Sequence, residues 1–531
     1  MQILKFKHII ILSLLIFGTI ILDAQPQNIK IFETDVTNSN APEEPSICIN
    51  PENTQQIIVG ANISNCFKSD DGGLTWTSNV MTSTYNVAGD PCVIVDSNGD
   101  FYYFHLSNAS FWLDRIVCQK LTDFSGNWTD GTFFGINGTK EQSKQWATFD
   151  RKNKIMYCTW NQFDDYGSTS ASDFTNILFT KSDDYGNTWS SPAQINQKSG
   201  VSNLSNLCVE GSFPVIGANG EIFVSWIGLN ENNQTAIIFD KSEDYGNTWL
   251  ENDIKITDLP GGWLFPIPGI SRGISFPVMS CDTSGGSFNG NIYLTWADQR
   301  NGTENTDVFF VKSTDNGSSW TQPQIVNNDN SGKHQFFSAM AVDQITGNIF
   351  IVFYDRRNYE NEMTDVYLAV SEDGGETFEN YKISEEPFLP YEDIFFGDYN
   401  SISAHNNIVR PAWTNLNGNN IGIYTALIDW SIGINIKETK NIFENNLSNY
   451  PNPFNETSYI SFKLRSADYV NLSVFDIYGN KVTDILTNEY LTEGKYVKTF
   501  NARNYNLNSG IYFYVLNIGT ERHLSKIIFS K

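Results

Sequence analysis

Charged and phenolic side chains stand at two recurring kinds of position in this sequence, just before short apolar runs and just after them. Before the runs come Glu44, Asp90, Lys144, Glu210, Arg272, His334 with Gln335, and Asp398 with Tyr399; after them come Asn161, Asp298 with Arg300, Asp355 with Arg356 and Arg357, and Asn415. Gathered at one concave opening, such a mixture of carboxylates and guanidiniums suits a polar anionic or sugar-like ligand, since guanidiniums hold planar oxygen pairs through two hydrogen bonds. Arg272 is an isolated charge in Ile270-Ser271-Arg272-Gly273-Ile274, and Phe396-Gly397-Asp398-Tyr399 sets a phenol beside a carboxylate. With 5 His and no His-Glu-x-x-His cluster, no catalytic zinc is expected, and no EF-hand-type loop offers a calcium site, so neither metal nor cofactor is expected.

What must position these residues is a repeat. Ser182-Asp183-Asp184-Tyr185-Gly186-Asn187-Thr188-Trp189 returns 60 residues later, from 182 to 242, as Ser242-Glu243-Asp244-Tyr245-Gly246-Asn247-Thr248-Trp249. Further copies begin at Ser69, Ser313 and Ser371, and a worn one spans Leu121 to Trp128. Each copy follows a β-rich run, so it reads as a hairpin turn in which Asp accepts local N–H groups, Gly supplies a positive φ and Trp covers the neighbouring sheet. Around the octamers one strand grammar recurs from about 28 to 430. Its units start near Pro45, Pro91, Gln145, Phe213, Phe276, Phe337 and Ser401. Four antiparallel strands per unit, repeated radially, predict an all-β propeller of seven blades, with six as the alternative. The last unit lacks a fourth strand, and Asn28-Ile29-Lys30-Ile31-Phe32-Glu33 is predicted to supply it. The octamers then lie on one face and the charged positions on the other. The echo between Trp296-Ala297-Asp298-Gln299-Arg300 and Tyr354-Asp355-Arg356-Arg357 predicts Asp–Arg pairs between adjacent blades.

The octamer resembles the Asp box, or BNR repeat, of sialidases and other β-propeller proteins. The resemblance implies a Tyr nucleophile assisted by a Glu, an Asp as acid/base and an arginine clamp for the substrate carboxylate. Carried onto this chain it points to Tyr399, Glu210 and Asp90 as catalytic residues and to Arg272 and Arg356 as arms of the clamp; Arg300 and Asp355, from the charged positions after the runs, join them as substrate-binding candidates. The family's first Arg is missing: Ala41-Pro42-Glu43-Glu44-Pro45-Ser46 stands where an Arg-Ile-Pro motif is expected. A clamp short of one arm loses roughly 1.5–3 kcal/mol of charge-assisted contact. An exo-sialidase-like glycoside hydrolase is therefore one expectation, and a non-catalytic propeller binding glycan or protein is the other.

The formal net charge of −26 argues against nucleic acid or an anionic membrane as partner, while the resemblance implies a glycan or glycoprotein ligand. The 7 Cys lack metal-type spacing and most sit within strand patterns, as buried free thiols would. Residues 1–24, with Lys5 and Lys7 before an apolar run from Ile9 to Leu22, read as a signal peptide, with no other segment able to span a bilayer. After a polar linker, 431–449, residues 450–531 read as a small Ig-like β-sandwich. Tyr450-Pro451-Asn452-Pro453-Phe454, the Asp-x-Tyr-Gly-Asn turn from Asp476 and Ser509-Gly510-Ile511-Tyr512 make this module resemble the type IX secretion C-terminal sorting domain. That implies recognition by the secretion machinery and a secreted product, or one held on the outer surface of a Gram-negative cell.

Overall fold

The repeated units between residues 28 and 430 are built of β-strands. A computed structural model describes residues 25–432 and 447–530, the latter without 465, 477–480, 506 and 519–520. The signal peptide at 1–24, most of the linker and most of the Asp-x-Tyr-Gly-Asn turn lie outside the described residues. The chain divides into two compact units, with the boundary between residues 437 and 438.

In the first unit the described residues form seven sheets with at least four strands each, plus a two-stranded hairpin, Leu264–Ile267 with Ile270–Ile274, between the fourth and fifth. Their innermost strands are Ser46–Ile49, Cys92–Val95, Glu141–Asp150, Glu210–Ile216, Val278–Cys281, Gln335–Val342 and Ser401–His405. Each neighbours the next, and the last neighbours the first, which closes a ring of blades. The seventh blade takes its outer strand from the N-terminal segment: Asn28–Asp35 pairs antiparallel with Asn420–Ala426, from Asn28 opposite Ala426 to Asp35 opposite Asn420. This non-local pairing completes the seventh blade and fastens the two ends of the ring together.

The octamers turn as their composition requires. In the copy at 242–249, Ser242 Oγ donates to Asp244 Oδ1 at 2.9 Å and accepts Gly246 N–H at 2.8 Å, while Asp244 accepts Thr248 N–H at 2.8 Å and its hydroxyl at 2.7 Å. The other good copies repeat this pattern. At the worn copy Asp123 holds only Ser125, because Leu121 has no hydroxyl to offer. The aromatic at the end of the octamer packs on the preceding blade: Trp249 on Phe179 at 4.9 Å, Trp320 on Phe239 at 5.3 Å and Phe378 on Phe310 at 4.9 Å between ring centres. Gly246, at φ +78°, lies so close to Phe179 that a Cβ would meet the ring at 2.4 Å. The octamer is thus both a turn and a staple between blades.

The expected inter-blade Asp–Arg pairs are instead local. Arg300 holds Asp298 of its own loop, with Nη2 to Oδ2 at 2.6 Å, and Arg357 holds Asp355, with Nη2 to Oδ2 at 2.7 Å. An i,i+2 loop brings the two groups together at less conformational cost than a contact across blades. Six of the seven Cys are buried and Cys48 is half-buried; all are free thiols, and burial raises several of them to about 12.

The second unit is two antiparallel sheets. One contains Leu447–Tyr450, Thr457–Leu464 and Gly494–Asn501; the other contains Lys481–Leu491, Asp468–Asp476, Gly510–Ile518 and Glu521–Phe529. Alternate residues of the facing strands, such as Ile460, Phe462, Leu472 and Tyr514, fill its core. No helix among the described residues is long and apolar enough to cross a membrane.

Candidate functional site

Opposite the octamers, the segments leading into the innermost strands converge on Lys144. Its Nζ lies 3.1 Å from Glu44 Oε1, 3.2 Å from Asp90 Oδ1 and 2.9 Å from Asp398 Oδ2, joining the segments ahead of the first, second and seventh blades to the third. A β-bulge between Ser143 and Trp146 makes this possible by turning Lys144 out of the strand's alternation. Glu44, Asp90 and Lys144 all adopt left-handed backbone, at φ 54°, 51° and 48°. Such conformations are costly for residues with a Cβ and persist where the surroundings enforce them.

Two further groups complete the cluster. Arg272, on the inserted hairpin, grips Asp398 with Nε to Oδ1 at 2.7 Å and Nη2 to Oδ2 at 2.6 Å, and its guanidinium lies 5.1 Å from the Phe395 ring. Tyr399 lies beneath Lys144, whose Nζ is 5.3 Å from the ring centre, and packs edge-on to Trp146 at 5.3 Å. Asn62 ties the network together: it donates to Glu44 Oε2 at 2.7 Å and accepts Asp90 N–H at 2.7 Å. Below Tyr399 a small apolar cavity of about 60 Å³, lined by Trp146, Phe213, Phe276 and Met340 among others, closes off the interior.

Burial sets the protonation pattern. Glu44, almost fully buried and hydrogen-bonded to Asp398, is pushed well above the usual carboxylate range, while Lys144 and Arg272 hold Asp398 below it. The two carboxyls therefore share a proton as an acid–carboxylate pair. Glu210 is raised by burial to about 7, with Lys144 and Arg272 opposing the rise and Asp398 and Asp90 adding to it. Burial, together with Glu44, Asp90 and Asp398, raises the Tyr399 phenol well above its ordinary value. The charges of the cluster hold Lys144 protonated despite its burial.

Of the residues singled out from sequence, Asp90, Glu210, Arg272 and Tyr399 come together here. The remaining three turn to other partners. Arg300 is held by Asp298 and lies 4.5 Å from the Phe309 ring, and Asp355 is occupied by Arg357. Arg356 donates to Thr364 Oγ1 at 3.0 Å and to the Pro268 carbonyl at 2.7 Å. The sequence reading did not single out Lys144 as the hub, nor Tyr166, whose phenol is raised to about 12 by burial and then by Glu210. Lys144 stood among the charged positions ahead of the strands; Tyr166 gave no signal, since it lies in a loop outside the repeat. Among the described residues no group of three or more His, Cys, Asp or Glu is arranged to hold a metal; Lys144 fills the place between the carboxylates.

Comparison with known proteins bears on the modules of the chain. Residues 164–387, which span the third to sixth blades, match the BNR repeat-like domain family. Residues 448–530 match the secretion system C-terminal sorting domain family. The chain carries a BNR repeat-like region and a secretion sorting tail. That tail marks the propeller as secreted or attached to the outer cell surface. None of the curated proteins matches the sequence. Among solved structures, a Hadza microbial sialidase is 13% identical over 71% of this chain and 74% of its own, with a TM-score of 0.41. An ulvan lyase is 14% identical over 76% of this chain and 96% of its own (TM-score 0.46), and a Trypanosoma rangeli sialidase 11% identical over 85% of each (TM-score 0.42). At these identities the residue roles of the BNR propeller are read from its own geometry.

Proposed function

We propose that this propeller hydrolyses neutral glycosides outside the cell, at the mouth formed around Lys144. The observation that carries the proposal is the convergence of Asp90, Lys144, Glu210, Arg272 and Tyr399, each from a different segment of the ring, beside a proton-sharing Glu44–Asp398 pair. Glycoside hydrolysis needs one carboxyl that gives a proton to the leaving oxygen and a second group that attacks the sugar or activates water. Glu210, half-protonated near pH 7, suits proton exchange. Asp90 stands as the acid/base for the leaving oxygen, and Tyr399, buried beneath Lys144 with its phenol held protonated, attacks as the nucleophile when Glu210 accepts its proton. Arg272, one-third exposed, can donate to sugar hydroxyls while Asp398 holds it in place.

Charge balance selects the substrate. Two cations, Lys144 and Arg272, face four carboxyls, Glu44, Asp90, Glu210 and Asp398, and both cations are already engaged. Because Lys144 and Arg272 are both committed to Asp398, neither is free to grip a substrate carboxylate, which favours a neutral sugar over an anionic one. The test is release of 4-methylumbelliferone from neutral glycosides and from its sialoside, with Tyr399→Phe and Glu210→Gln as controls. Neutral turnover that falls by at least about 100-fold in both variants supports the reading.

A second reading has its own support. Glu44, Lys144 and Asp398 satisfy one another at 8% side-chain exposure or less. A network so closed also suits a propeller that binds glycan without cleaving it.

A further inference from the structure

Trp112 is 52% exposed on a loop of the second blade, between Phe101–Ser107 and Arg115–Leu121. Its ring meets that of Tyr166 at 5.0 Å and 89°, and Tyr166 in turn packs on Phe163 at 4.8 Å. The loop carrying Trp112 is firmly held. Asp114 accepts Ser107 Oγ at 3.0 Å and Ser110 N–H at 3.0 Å and pairs with Arg115, and Gln142 N–H donates to the Leu113 carbonyl at 2.8 Å. The Tyr166 loop is tied down too, by Glu141 and by Gly167 N–H to the Ser202 carbonyl at 3.0 Å. A large indole held rigidly in water on a surface loop has no core to serve.

Its position shows what it could serve. Tyr166 N–H donates to the carboxylate of Glu141, which opens the strand that carries Lys144, so the aromatic pair stands beside the approach to the mouth. Beyond Arg272 lies a cleft of about 490 Å³, walled by Phe265, Pro266, Ile267 and Pro268 with Glu304 and Glu392 at its rim. That volume falls within the range of sites that hold organic ligands of several rings. The charged centre is thus flanked by an aromatic shelf and by an apolar-walled cleft. The C–H faces of pyranose rings pack on aromatic faces while their hydroxyls stay in water, the same division that keeps an amphipathic ring at a wet interface.

We propose that Trp112 and Tyr166 form a sugar-stacking subsite, so that the natural ligand is a neutral glycan of more than one residue lying across the mouth. The proposal rests on the reading of the mouth as a glycan site, and it holds whether or not the bond is cleaved there.

Affinity electrophoresis of the full chain separates the two ideas, because retardation in a gel needs no catalysis. The probes are soluble neutral polysaccharides (a mixed-linkage β-glucan, a galactomannan and a linear arabinan), with polygalacturonate as the anionic control. Wild-type protein and Tyr399→Phe are expected to be retarded in at least one neutral gel. Trp112→Ala should lose at least about ten-fold in affinity there, and Trp112→Phe, which keeps an aromatic face, should recover most of it. Equal retardation of Trp112→Ala and wild type overturns the subsite, as does retardation confined to polygalacturonate or none in any gel. Glycoside assays that show no turnover while Trp112-dependent retardation persists overturn the hydrolase reading and leave the subsite standing.

Discussion

Arg272 and Asp398 join through two charge-assisted hydrogen bonds of 2.7 and 2.6 Å, and the same carboxylate receives Lys144 at 2.9 Å. One buried anion therefore stands between two cations brought from the inserted hairpin and the third blade. The substitution Asp398→Asn keeps the shape of the side chain and removes its charge. Breaking a buried pair from one side leaves its partners uncompensated, at about 3–5 kcal/mol. The variant is accordingly expected to lower the stability of the propeller by that amount, read from the urea midpoint of its unfolding. An unchanged midpoint would show that Arg272 and Lys144 find other partners.

Lys144→Met should destabilise by a similar amount but with a distinct pH signature. Without the ammonium, Glu44 and Asp398 lose the charge that holds their protons off, and their folded-state affinities for protons rise. A raised folded pKa gives stability that is present at low pH and lost as pH rises through it. The deficit relative to wild type should therefore shrink between pH 8 and pH 5, as followed by urea unfolding. A deficit that is constant with pH contradicts the assignment of Lys144 as the charge hub.

Glu210 offers a second titration. Its folded pKa of about 7 lies above the ordinary carboxylate value, so folding stability should fall as pH rises from about 4.5 to 7. Glu210→Gln is expected to flatten that slope. The octamer Asp residues work in the opposite sense. Asp244, held near 2 by Thr248, gives stability that is complete above about pH 4 and lost as pH falls toward 2. Thermal melts across pH 2–8 check both signs.

The staple function of the octamer is tested by comparing two glycines with nearly equal φ. Gly246 (φ +78°) abuts Phe179, whereas Gly167 (φ +79°) has no atom within 4 Å of a built Cβ. Gly167→Ala should cost only the backbone strain, roughly 1 kcal/mol. Gly246→Ala adds a clash with a buried ring, about 1–3 kcal/mol more. Equal losses in denaturant midpoint would remove the inter-blade role.

These contrasts also explain what could be read beforehand. The octamer names its own turn because Ser, Asp, Gly and Thr each make a local bond that depends on the near sequence alone. Closure by Asn28–Asp35 was legible too, since a unit one strand short and a spare β-rich segment must meet. The hub was less so. The bulge at Lys144 breaks the alternation by which a strand residue's facing is inferred, and the contacts of Lys144 with Glu44 and Asp398 span 100 and 254 residues of chain respectively. Repetition pointed the Asp298 and Asp355 motifs across blades, whereas a two-residue loop let each find an arginine at once. Trp112 and Tyr166 stand on loops that repeat nothing, so only the fold brings the two rings together.

The account is tested most directly by measuring 4-methylumbelliferone release from a panel of neutral glycosides and from the sialoside, with the secreted protein and with Tyr399→Phe. It predicts turnover of a neutral glycoside, none of the sialoside, and a loss of at least about 100-fold in the variant. Preferential cleavage of the sialoside, undiminished turnover in Tyr399→Phe, or no turnover of any glycoside would contradict it.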